Sequence, residues 1–512
     1  MLDQPNLPEN DLNHSVLLDV HTSSDYPEVN TFIHRIYTAH FSGPFTEVKK
    51  KHLKVVLLHL YVTWSEDSAL YTAVTFNKSE YKAGSRYNAL HISSKIINII
   101  KELERLGLIE LHLGFKDRRP GGRGRVTRIR PLEKLTSHFQ KATFSAFEIN
   151  THEGRESVIL KVGEKENSKE VEYEDTEETI RMRSFLTEYN QLLRDTHIDC
   201  CSMDKAYQTR WDRKTKRFKK VVRINQQNKF TRRNFARGSW SLGGRFYGGW
   251  WQNVSRELRQ DIRINGERTI EVDYSGTHIT YLYALKGINY FQEIGDDPYE
   301  LVIPEIDDPK KSRWLVKNLV LMTLNAKSKQ QDAKSEHKAF DALQEKANKN
   351  KSKAPQVSLD YRFLGEVLQR IKLKHPLISD AFCSDEGVRL QYLDGQITER
   401  VLQYFMDMGV AALSIHDSFV VPERLSDHLR DAMMEAWAGV LGLTPNWPEC
   451  SFEDLAMGCT RTNQIGYVDE LLGIDDLEHE RIIHLMEQKY VSPRYKRSLK
   501  AFQAWKKEKE GQ

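Results

Sequence analysis

The sequence predicts an α+β protein with more than one domain. Its 512 residues, 39% of them hydrophobic, are enough for roughly two to four domains with sizeable cores. A helical pattern followed by two short strand-like runs lies between residues 90 and 130. Further along, two apolar, β-prone runs each end on an aspartate, Asp273 and Asp417. The first pattern predicts a small domain of helices and a hairpin, and the second predicts a larger sheet with polar groups at its strand ends.

The composition excludes several classes of protein. No apolar run approaches the roughly 20 residues that span a bilayer, and the acidic, polar start lacks the features of a signal peptide, so we expect a cytoplasmic protein with no membrane partner. Five cysteines without a Cys-x-x-Cys pair predict neither a disulfide framework nor a zinc site. Lys and Arg (76) nearly balance Asp and Glu (72), so the net charge of +4 indicates little, and the sequence leaves the oligomeric state open.

The first predicted domain comprises residues 1–147. Isoleucine and leucine recur at helical spacing from Leu90 to Leu106, and Gly107 ends the helix. A strand, a basic glycine-rich loop and a returning strand follow, and this order resembles a winged-helix domain, in which the last helix enters the major groove and the loop lies along phosphates. The resemblance implies DNA contacts by Lys95, Arg118, Arg119, Arg123 and Arg125. The alternative is a solvated basic hairpin on an ordinary small domain.

Three further segments complete the predicted organisation. Residues 148–178 are acidic and polar and predict a linker or hairpin. Residues 179–240 combine a helical start with many cations and interleaved aromatic rings, a composition typical of a nucleic-acid path, and predict a basic helical region. Residues 466–512 predict a helical basic tail.

The two strand-end aspartates predict a metal site. A carboxylate at a strand end is held rigidly, and two such strands side by side would hold a pair of Mg²⁺ ions about 3.5–4 Å apart, as in phosphoryl-transfer enzymes. Taken alone, Asp273-Tyr274-Ser275 and His416-Asp417-Ser418 are more typical of ordinary strand-to-turn sequences than of a metal site.

An ordered set of motifs decides between these interpretations. From about residue 243 to residue 423 the chain resembles the palm and fingers of family A DNA polymerases and of the phage-type single-subunit RNA polymerases. The matching segments, in chain order, are Gly243-Gly244-Arg245, Gln252-Asn253-Val254, Asp273-Tyr274-Ser275, Arg313 with Lys317, Leu390-Gln391 and His416-Asp417-Ser418. The resemblance implies that residues 241–465 form a right-hand polymerase core, an antiparallel palm sheet with helical fingers, and that residues 179–240 are thumb-like.

The same resemblance implies roles for single residues. Asp273, Asp417 and the backbone carbonyl of Tyr274 would bind two Mg²⁺ ions, for which Mn²⁺ can substitute. The nucleotide would contact Arg313, Lys317, Tyr299, His278, Leu321 and Asn325. The template-primer would contact Arg245, Gln252, Asn253, Gln391 and His416. Leu321 and Asn325 depart from the family, which has an aromatic ring and a Tyr-Gly pair there, and His278 replaces a glutamate that blocks the ribose 2′-hydroxyl.

These expectations favour a template-dependent DNA polymerase of plasmid, phage or mobile-element type, without a proofreading exonuclease. Its partners would be a DNA template-primer and nucleoside triphosphates, and the N-terminal domain would recruit it to a DNA site. Two alternatives stay open at this point. One is a single-subunit RNA polymerase or primase, and the other is a DNA-binding replication or transcription regulator without catalysis.

Overall fold

A computed structural model describes residues 11–117, 119, 124–164, 167–212, 217–326, 333–442, 452–455 and 491–511. The strands are β1 (Ser15–Leu17), β2 (Thr22–Ser23), β3 (Tyr71–Val74), β4 (Ile109–His112), β5 (Thr127–Pro131), β6 (Asn150–Thr151), β7 (Val158–Val162), β8 (Lys169–Glu170), β9 (Ile198–Cys200), β10 (Tyr207–Asp212), β11 (Arg217–Arg223), β12 (Thr231–Ala236), β13 (Ser239–Gly248), β14 (Ile262–Ile264), β15 (Glu267–Tyr274), β16 (Leu413–Ile415), β17 (Ser418–Pro422) and β18 (Phe452–Leu455).

The helices are α1 (Pro27–His40), α2 (Glu47–Glu66), α3 (Ile96–Arg105), α4 (Glu133–Gln140), α5 (Glu177–Arg194), α6 (Arg256–Arg259), α7 (Thr277–Ala284), α8 (Tyr290–Glu293), α9 (Pro309–Leu324), α10 (Ala333–Lys349), α11 (Tyr361–Lys374), α12 (Glu386–Asp407), α13 (Ser426–Leu441) and α14 (Pro493–Glu510). Short 3-10 turns lie at Lys78–Glu80, Ala146–Glu148, Trp250–Gln252, Pro376–Ala381 and Glu423–Leu425. Within these ranges, none of the helices combines the length and the apolar character needed to cross a bilayer.

The N-terminal region packs α1 to α4 around a sheet of order β1-β3-β5-β4 and has its own hydrophobic core. Helix α3 buries the isoleucines that predicted it, and β4 and β5 pair antiparallel with Ile109 opposite Pro131. The predicted helix and hairpin are therefore present. Strand β3 also pairs with β5, which joins the hairpin to the sheet.

Two predicted segments differ from the structure. The linker at 148–178 contains β7, which pairs in parallel with β12, because Val158, Ile159 and Leu160 form a buried apolar run. The basic region at 179–240 is helical only in α5 and continues as strands β9 to β12. In β12 burial alternates residue by residue, the period of a strand, and the many cations of this region obscure that alternation in the sequence. The prediction that this region is mainly helical was wrong beyond α5.

The central sheet has the order β16-β17-β15-β14-β9, with β18 also paired to β15. Strands β15 and β17 are antiparallel, with Asp273 opposite Ser418, and β16 and β17 are joined by the two-residue turn His416-Asp417. This pairing brings both aspartates to the same end of the sheet. A second sheet, of order β13-β12-β7-β8, lies against helix α12.

Helix α12 approaches β13 very closely. A Cβ atom added at Gly395 would lie 2.2 Å from the backbone oxygen of Gly244, which also accepts a 2.9 Å hydrogen bond from Arg233 Nε. The buried Arg233 side chain forms an ion pair with Glu399 of the same helix. Glycine at 395 therefore sets the distance between α12 and the sheet.

Charged contacts connect the N-terminal region to the rest of the chain. Arg223 of β11 donates two hydrogen bonds, of 2.9 and 2.8 Å, to Glu66 at the end of α2. The next residue, Asp67, accepts a hydrogen bond from Tyr207 and lies 3.2 Å from Lys205 Nζ. The end of α2 is thus attached to the β10-β11 hairpin through both acidic side chains.

The predicted C-terminal tail at 466–512 is helical in α14, and residues 466–490 lie outside the described residues. Helix α14 packs against the core through buried Phe502, and Arg494 forms a 2.6 Å ion pair with buried Asp199. Helix α14 is therefore an integral element of the fold.

The close contact at Gly395 predicts a large effect of a single methyl group. Gly395→Ala should destabilise the protein by about 1–3 kcal/mol, because the added atom meets backbone that cannot rotate away. Gly365→Ala, in α11 with nothing within 4 Å of the added atom, should instead stabilise it by about 0.5–1 kcal/mol. Urea unfolding of both variants measures the difference, and equal midpoints would contradict the predicted contact.

Candidate active site

The two predicted metal ligands lie on neighbouring strands. Asp273 is near the end of β15, and Asp417 is in the turn that precedes its partner strand β17. His416, the first residue of that turn, has a φ of +60°, which is uncommon outside glycine and lets the chain reverse within two residues. The two strand-end aspartates thus lie on paired strands, and their binding of metal stays a prediction.

The Asp417 carboxylate is held in its charged form. Thr277 Oγ donates a 2.7 Å hydrogen bond to Asp417 Oδ2 and also lies 3.2 Å from the backbone oxygen of Tyr274. Burial alone would raise the pKa of Asp417, but Arg245, the Thr277 hydroxyl and His278 together hold it below its usual value. The group is therefore ionised at neutral pH. Sequence analysis missed Thr277, although it stands only four residues after Asp273.

A buried glutamate supports the turn from the other side. Glu271, two residues before Asp273 on β15, accepts a 2.9 Å hydrogen bond from Ser418 Oγ. Arg259 donates two hydrogen bonds, of 2.9 and 2.8 Å, to the same carboxylate. Ser418, the residue that follows Asp417, is thus held by a hydrogen bond to a glutamate that is itself ion-paired with Arg259 of α6.

Arg245 is oriented by a second buried carboxylate. Its Nε donates a 2.5 Å hydrogen bond to Asp394 Oδ2, and the hydroxyl of Tyr281 lies 3.5 Å from the other oxygen of Asp394. Burial raises the pKa of Asp394 to about 6 against the opposing charge of Arg245. The positive charge of Arg245 also lowers the pKa of Asp417, one of the two predicted metal ligands.

Sequence analysis missed Asp394 as well. It lies three residues after Gln391 on α12, nearly one helical turn away, and only the contact of α12 with β13 shows its pairing with Arg245. Gln391 itself is half-buried on this helix, and its contact with a template-primer stays a prediction.

The ring of Tyr299 lies beside the two cations that are predicted to bind phosphate. Its buried ring lies 5.6 Å from Arg313 Cζ and 5.7 Å from Lys317 Nζ, both on α9. Burial and the negative charge of Asp417 raise the pKa of the Tyr299 phenol. The ring therefore contacts both cations and lies within electrostatic reach of Asp417.

The loop that carries Tyr299 is anchored at several points. Asp297 Oδ1 accepts a 2.9 Å hydrogen bond from the Tyr299 amide, and its other oxygen pairs with Arg313. Lys374 Nζ lies 2.9 Å from both Asp296 Oδ2 and the Asp297 backbone oxygen. Buried His375 lies 2.9 Å from the backbone oxygen of Pro298. These contacts hold Tyr299 in one place.

His278 occupies the position predicted to discriminate between sugars. Burial, together with the positive charges of Arg245 and Lys317, lowers its pKa to about 4 although Asp417 opposes the shift. The imidazole is therefore neutral at neutral pH and is surrounded by the same charges as the metal-ligand pair.

Two predicted nucleotide contacts lie further along α9. Leu321 is half-buried, and exposed Asn325 closes the helix by donating a 2.7 Å hydrogen bond to the Leu321 carbonyl. The Asn325 side chain packs against Gly387 of α12, where an added Cβ would lie 2.3 Å away. Asn325 thus joins two helices, and its contact with a nucleotide stays a prediction.

Gln252 and Asn253 have other surroundings in the structure than the nucleic acid predicted for them. The Gln252 amide nitrogen donates a 2.9 Å hydrogen bond to the Ser414 carbonyl, and its oxygen accepts from the Gly248 amide at 3.2 Å. It holds β13 to β16, because the turn at 250–252 places it between them. Asn253 lines a separate cavity beside the N-terminal domain. His416 is exposed, with its ring 6.3 Å from that of Tyr247.

The predicted DNA contacts of the N-terminal domain are partly described. Lys95 is exposed immediately before α3. Arg119 is largely exposed and forms a 2.7 Å ion pair with Asp117, and Arg125 lies 5.5 Å from the centre of the Phe115 ring. Arg118 and Arg123 lie outside the described residues.

The donor set at the sheet end fits a hard cation. In the part of the chain that the structure describes, no group of three or more His, Cys, Asp or Glu side chains is arranged as a metal site. The candidate ligands are two carboxylates on adjacent strands and the Tyr274 carbonyl, all oxygens, which Mg²⁺ prefers together with water and substrate phosphates. The residues present therefore fit Mg²⁺.

No family model and no curated protein matches the chain. Among solved structures it is similar to the POL domain of Pol1 from M. smegmatis, in a complex with DNA primer-template and dNTP. The TM-score is 0.23 and the identity 15%, over 51% of this chain and 49% of that chain, about half its length. Because a TM-score this low does not establish a shared fold, the functional conclusions rest on the site itself.

Because Arg245 and Asp394 form a buried ion pair, removing one charge should destabilise the protein more than removing both. Asp394→Ala should cost about 3–5 kcal/mol, because it leaves a guanidinium buried without its partner. The double variant Arg245→Met with Asp394→Leu removes both charges and should recover most of that loss. Urea unfolding of the single and double variants measures the coupling, and strictly additive losses would contradict a direct pair.

Proposed function

We propose that this chain is a template-dependent nucleotidyltransferase, a DNA polymerase of the family A type that extends a primer by two-metal phosphoryl transfer and has no proofreading exonuclease. The observation that supports this most directly is the pairing of β15 with β17, which places Asp273 and Asp417 side by side. The cations proposed to bind phosphate, Arg313 and Lys317, lie 5.6 and 5.7 Å from the centre of the Tyr299 ring. Together with the two aspartates they support a nucleoside triphosphate site.

Two Mg²⁺ ions, or Mn²⁺ in their place, would be held by Asp273, Asp417 and the backbone carbonyl of Tyr274. When bound, such ions supply the positive charge that favours an attacking alkoxide and neutralises a leaving pyrophosphate. Thr277 and Glu271 contribute by holding the ligand-bearing turn in a single geometry.

The proposed reaction joins the primer 3′-oxygen to the α-phosphorus of the incoming nucleotide. The bond from that phosphorus to the bridging oxygen breaks, the hydroxyl proton passes to water, and pyrophosphate leaves. Arg313 and Lys317 would bind the β- and γ-phosphates, and Lys317 would protonate the leaving group. Such catalysis depends mostly on positioning and on fixed charge, which suits a loop as strongly anchored as that of Tyr299.

We assign the discrimination between deoxyribonucleotides and ribonucleotides to His278. Its ring is neutral and bulky and stands among Arg245, Lys317 and Asp417, where it would obstruct a ribose 2′-hydroxyl. We therefore favour deoxynucleotide incorporation over RNA synthesis. Retention of both aspartates and both α9 cations argues against a regulator that has lost catalysis.

The N-terminal domain is proposed to bind duplex DNA through α3 and the β4-β5 hairpin, in the manner of a winged helix. The exposed ammonium group of Lys95 at the start of α3, with Arg119 and Arg125 beside the hairpin loop, supports this assignment. The bound site would recruit the polymerase in plasmid, phage or mobile-element replication.

Primer extension tests the polymerase proposal. On a templated hairpin with Mg²⁺, the chain should extend the primer with dNTPs and poorly with rNTPs, and EDTA should stop extension. Asp417→Asn should lower the rate by at least about 10²–10³-fold, because a required charge is lost. Asp407→Asn, an exposed aspartate on α12, is the matched control and should retain activity. Without nucleotides the primer should keep its length. An Asp417→Asn variant as active as the parent would refute the proposal.

Duplex binding tests the N-terminal assignment. Lys95→Glu should weaken binding and reduce the slope of log K against log salt by about one or more, because a phosphate contact is lost and a repulsive charge is added. Lys82→Glu makes the same charge change at an exposed position outside α3 and should have a smaller effect. Fluorescence anisotropy across a salt series measures both, and indistinguishable variants would contradict the role of α3.

A further inference from the structure

A large cavity lies between the N-terminal domain and the rest of the chain, separate from the candidate active site. Its volume is about 740 Å³, which lies in the range of sites for small organic ligands. Its walls come from β1 and the segment after it, from residues 150–155, and from β11 with the turn that follows. None of the carboxylates or cations of the candidate active site lines it.

Positive charge predominates in the cavity wall. Its charged lining residues are three arginines, at 128, 155 and 223, and one acid, Asp19. Arg155 lies 3.1 Å from Asp19, and Arg223 is paired with Glu66. Arg128 donates instead to the backbone carbonyls of Leu12 and Val126, at 2.7 and 2.8 Å. With Glu66 counted beside Asp19, the three guanidinium groups keep one net positive charge, that of Arg128, and this excess favours an anion.

A buried histidine in the same wall has an unused hydrogen-bond donor. His59 Nδ1 accepts a 3.3 Å hydrogen bond from the Asp19 amide, and burial keeps the ring neutral, with a pKa of about 3. The proton is therefore assigned to Nε2, which is buried and has no hydrogen-bond partner among the described residues. Because Nε2 is not accessible from the cavity, His59 contributes a neutral, buried part of the wall and not a contact to the ligand.

The remaining wall offers amide and apolar groups. The side-chain amide nitrogens of Asn228 and Gln227 donate to the carbonyls of Arg223 and Ala146, at 3.1 and 2.5 Å, which leaves their oxygens as acceptors. Val16 and Val62 contribute apolar surface. Guanidinium groups for phosphate, amides for a base edge and aliphatic surface for a sugar or ring together match one ligand class.

We propose that this cavity binds a nucleoside phosphate, either a free mononucleotide or the end of a single strand. The site is additional to the proposed polymerase site and does not depend on it. A structural link between the two exists, because Asn253 lines the cavity and its neighbour Gln252 is bonded to Ser414 in the strand that leads to Asp417.

The test uses one exposed lining residue in two charge states. In the full-length Asp417→Asn background with EDTA, Asn228→Asp should weaken AMP binding and Asn228→Lys should strengthen it, each by about fivefold, the effect of one unit charge near 4 Å in water. Both variants lose the same hydrogen bond to Arg223. Gln369→Glu on α11, which does not line the cavity, should leave binding unchanged.

Isothermal titration with AMP, adenosine and a 5′-phosphorylated tetranucleotide distinguishes the sources of the ligand. If AMP binds and the tetranucleotide binds no more tightly, the ligand is a free nucleotide. If the tetranucleotide binds much more tightly than AMP, the ligand is the end of a strand. Equal affinities of Asn228→Asp and Asn228→Lys, adenosine binding as tight as AMP, or no binding at millimolar concentration would overturn the proposal. Because catalysis is already removed in this background, a failure of the polymerase assay would leave these outcomes unaffected.

Discussion

The antiparallel pairing of β15 with β17 is the constraint on which the candidate site depends. A slip of one residue would move Asp273 away from the turn that holds Asp417 and would turn its side chain to the other face of the sheet. Buried Glu271, bonded to Ser418 and Arg259, is attached to both strands and opposes such a slip. The register is therefore specified by a buried ion pair as well as by apolar packing.

Helix α12 transmits that constraint to the opposite side of the site. Its contact at Gly395 fixes the helix against β13, and this contact in turn fixes Asp394 against Arg245. Arg245 is thus held beside Asp417 at the cost of burying two charges. Such a buried pair is weak evidence for stability, and its value here is the orientation that it imposes on the guanidinium.

Sequence analysis located the residues whose placement follows from local pattern. Asp273 and Asp417 end β-prone runs, and Arg313 and Lys317 share a helix face, so their positions follow from strand and helix periodicity. Thr277 and Asp394 were missed because their partners are distant in sequence and only tertiary packing joins them. The strands between 198 and 236 were missed because abundant cations obscure the alternation of apolar and polar residues. The buried apolar run of β7 was missed because it lies within an acidic, polar stretch.

The attachment of α2 to the β10-β11 hairpin has a geometric consequence. Glu66 and Asp67 bind this hairpin through four different side chains, Arg223, Asn225, Tyr207 and Lys205. A domain attached in this way cannot swing freely relative to the sheet that bears Asp273. Under the proposed function, the distance between duplex DNA bound at α3 and the site of nucleotide addition would then be constant.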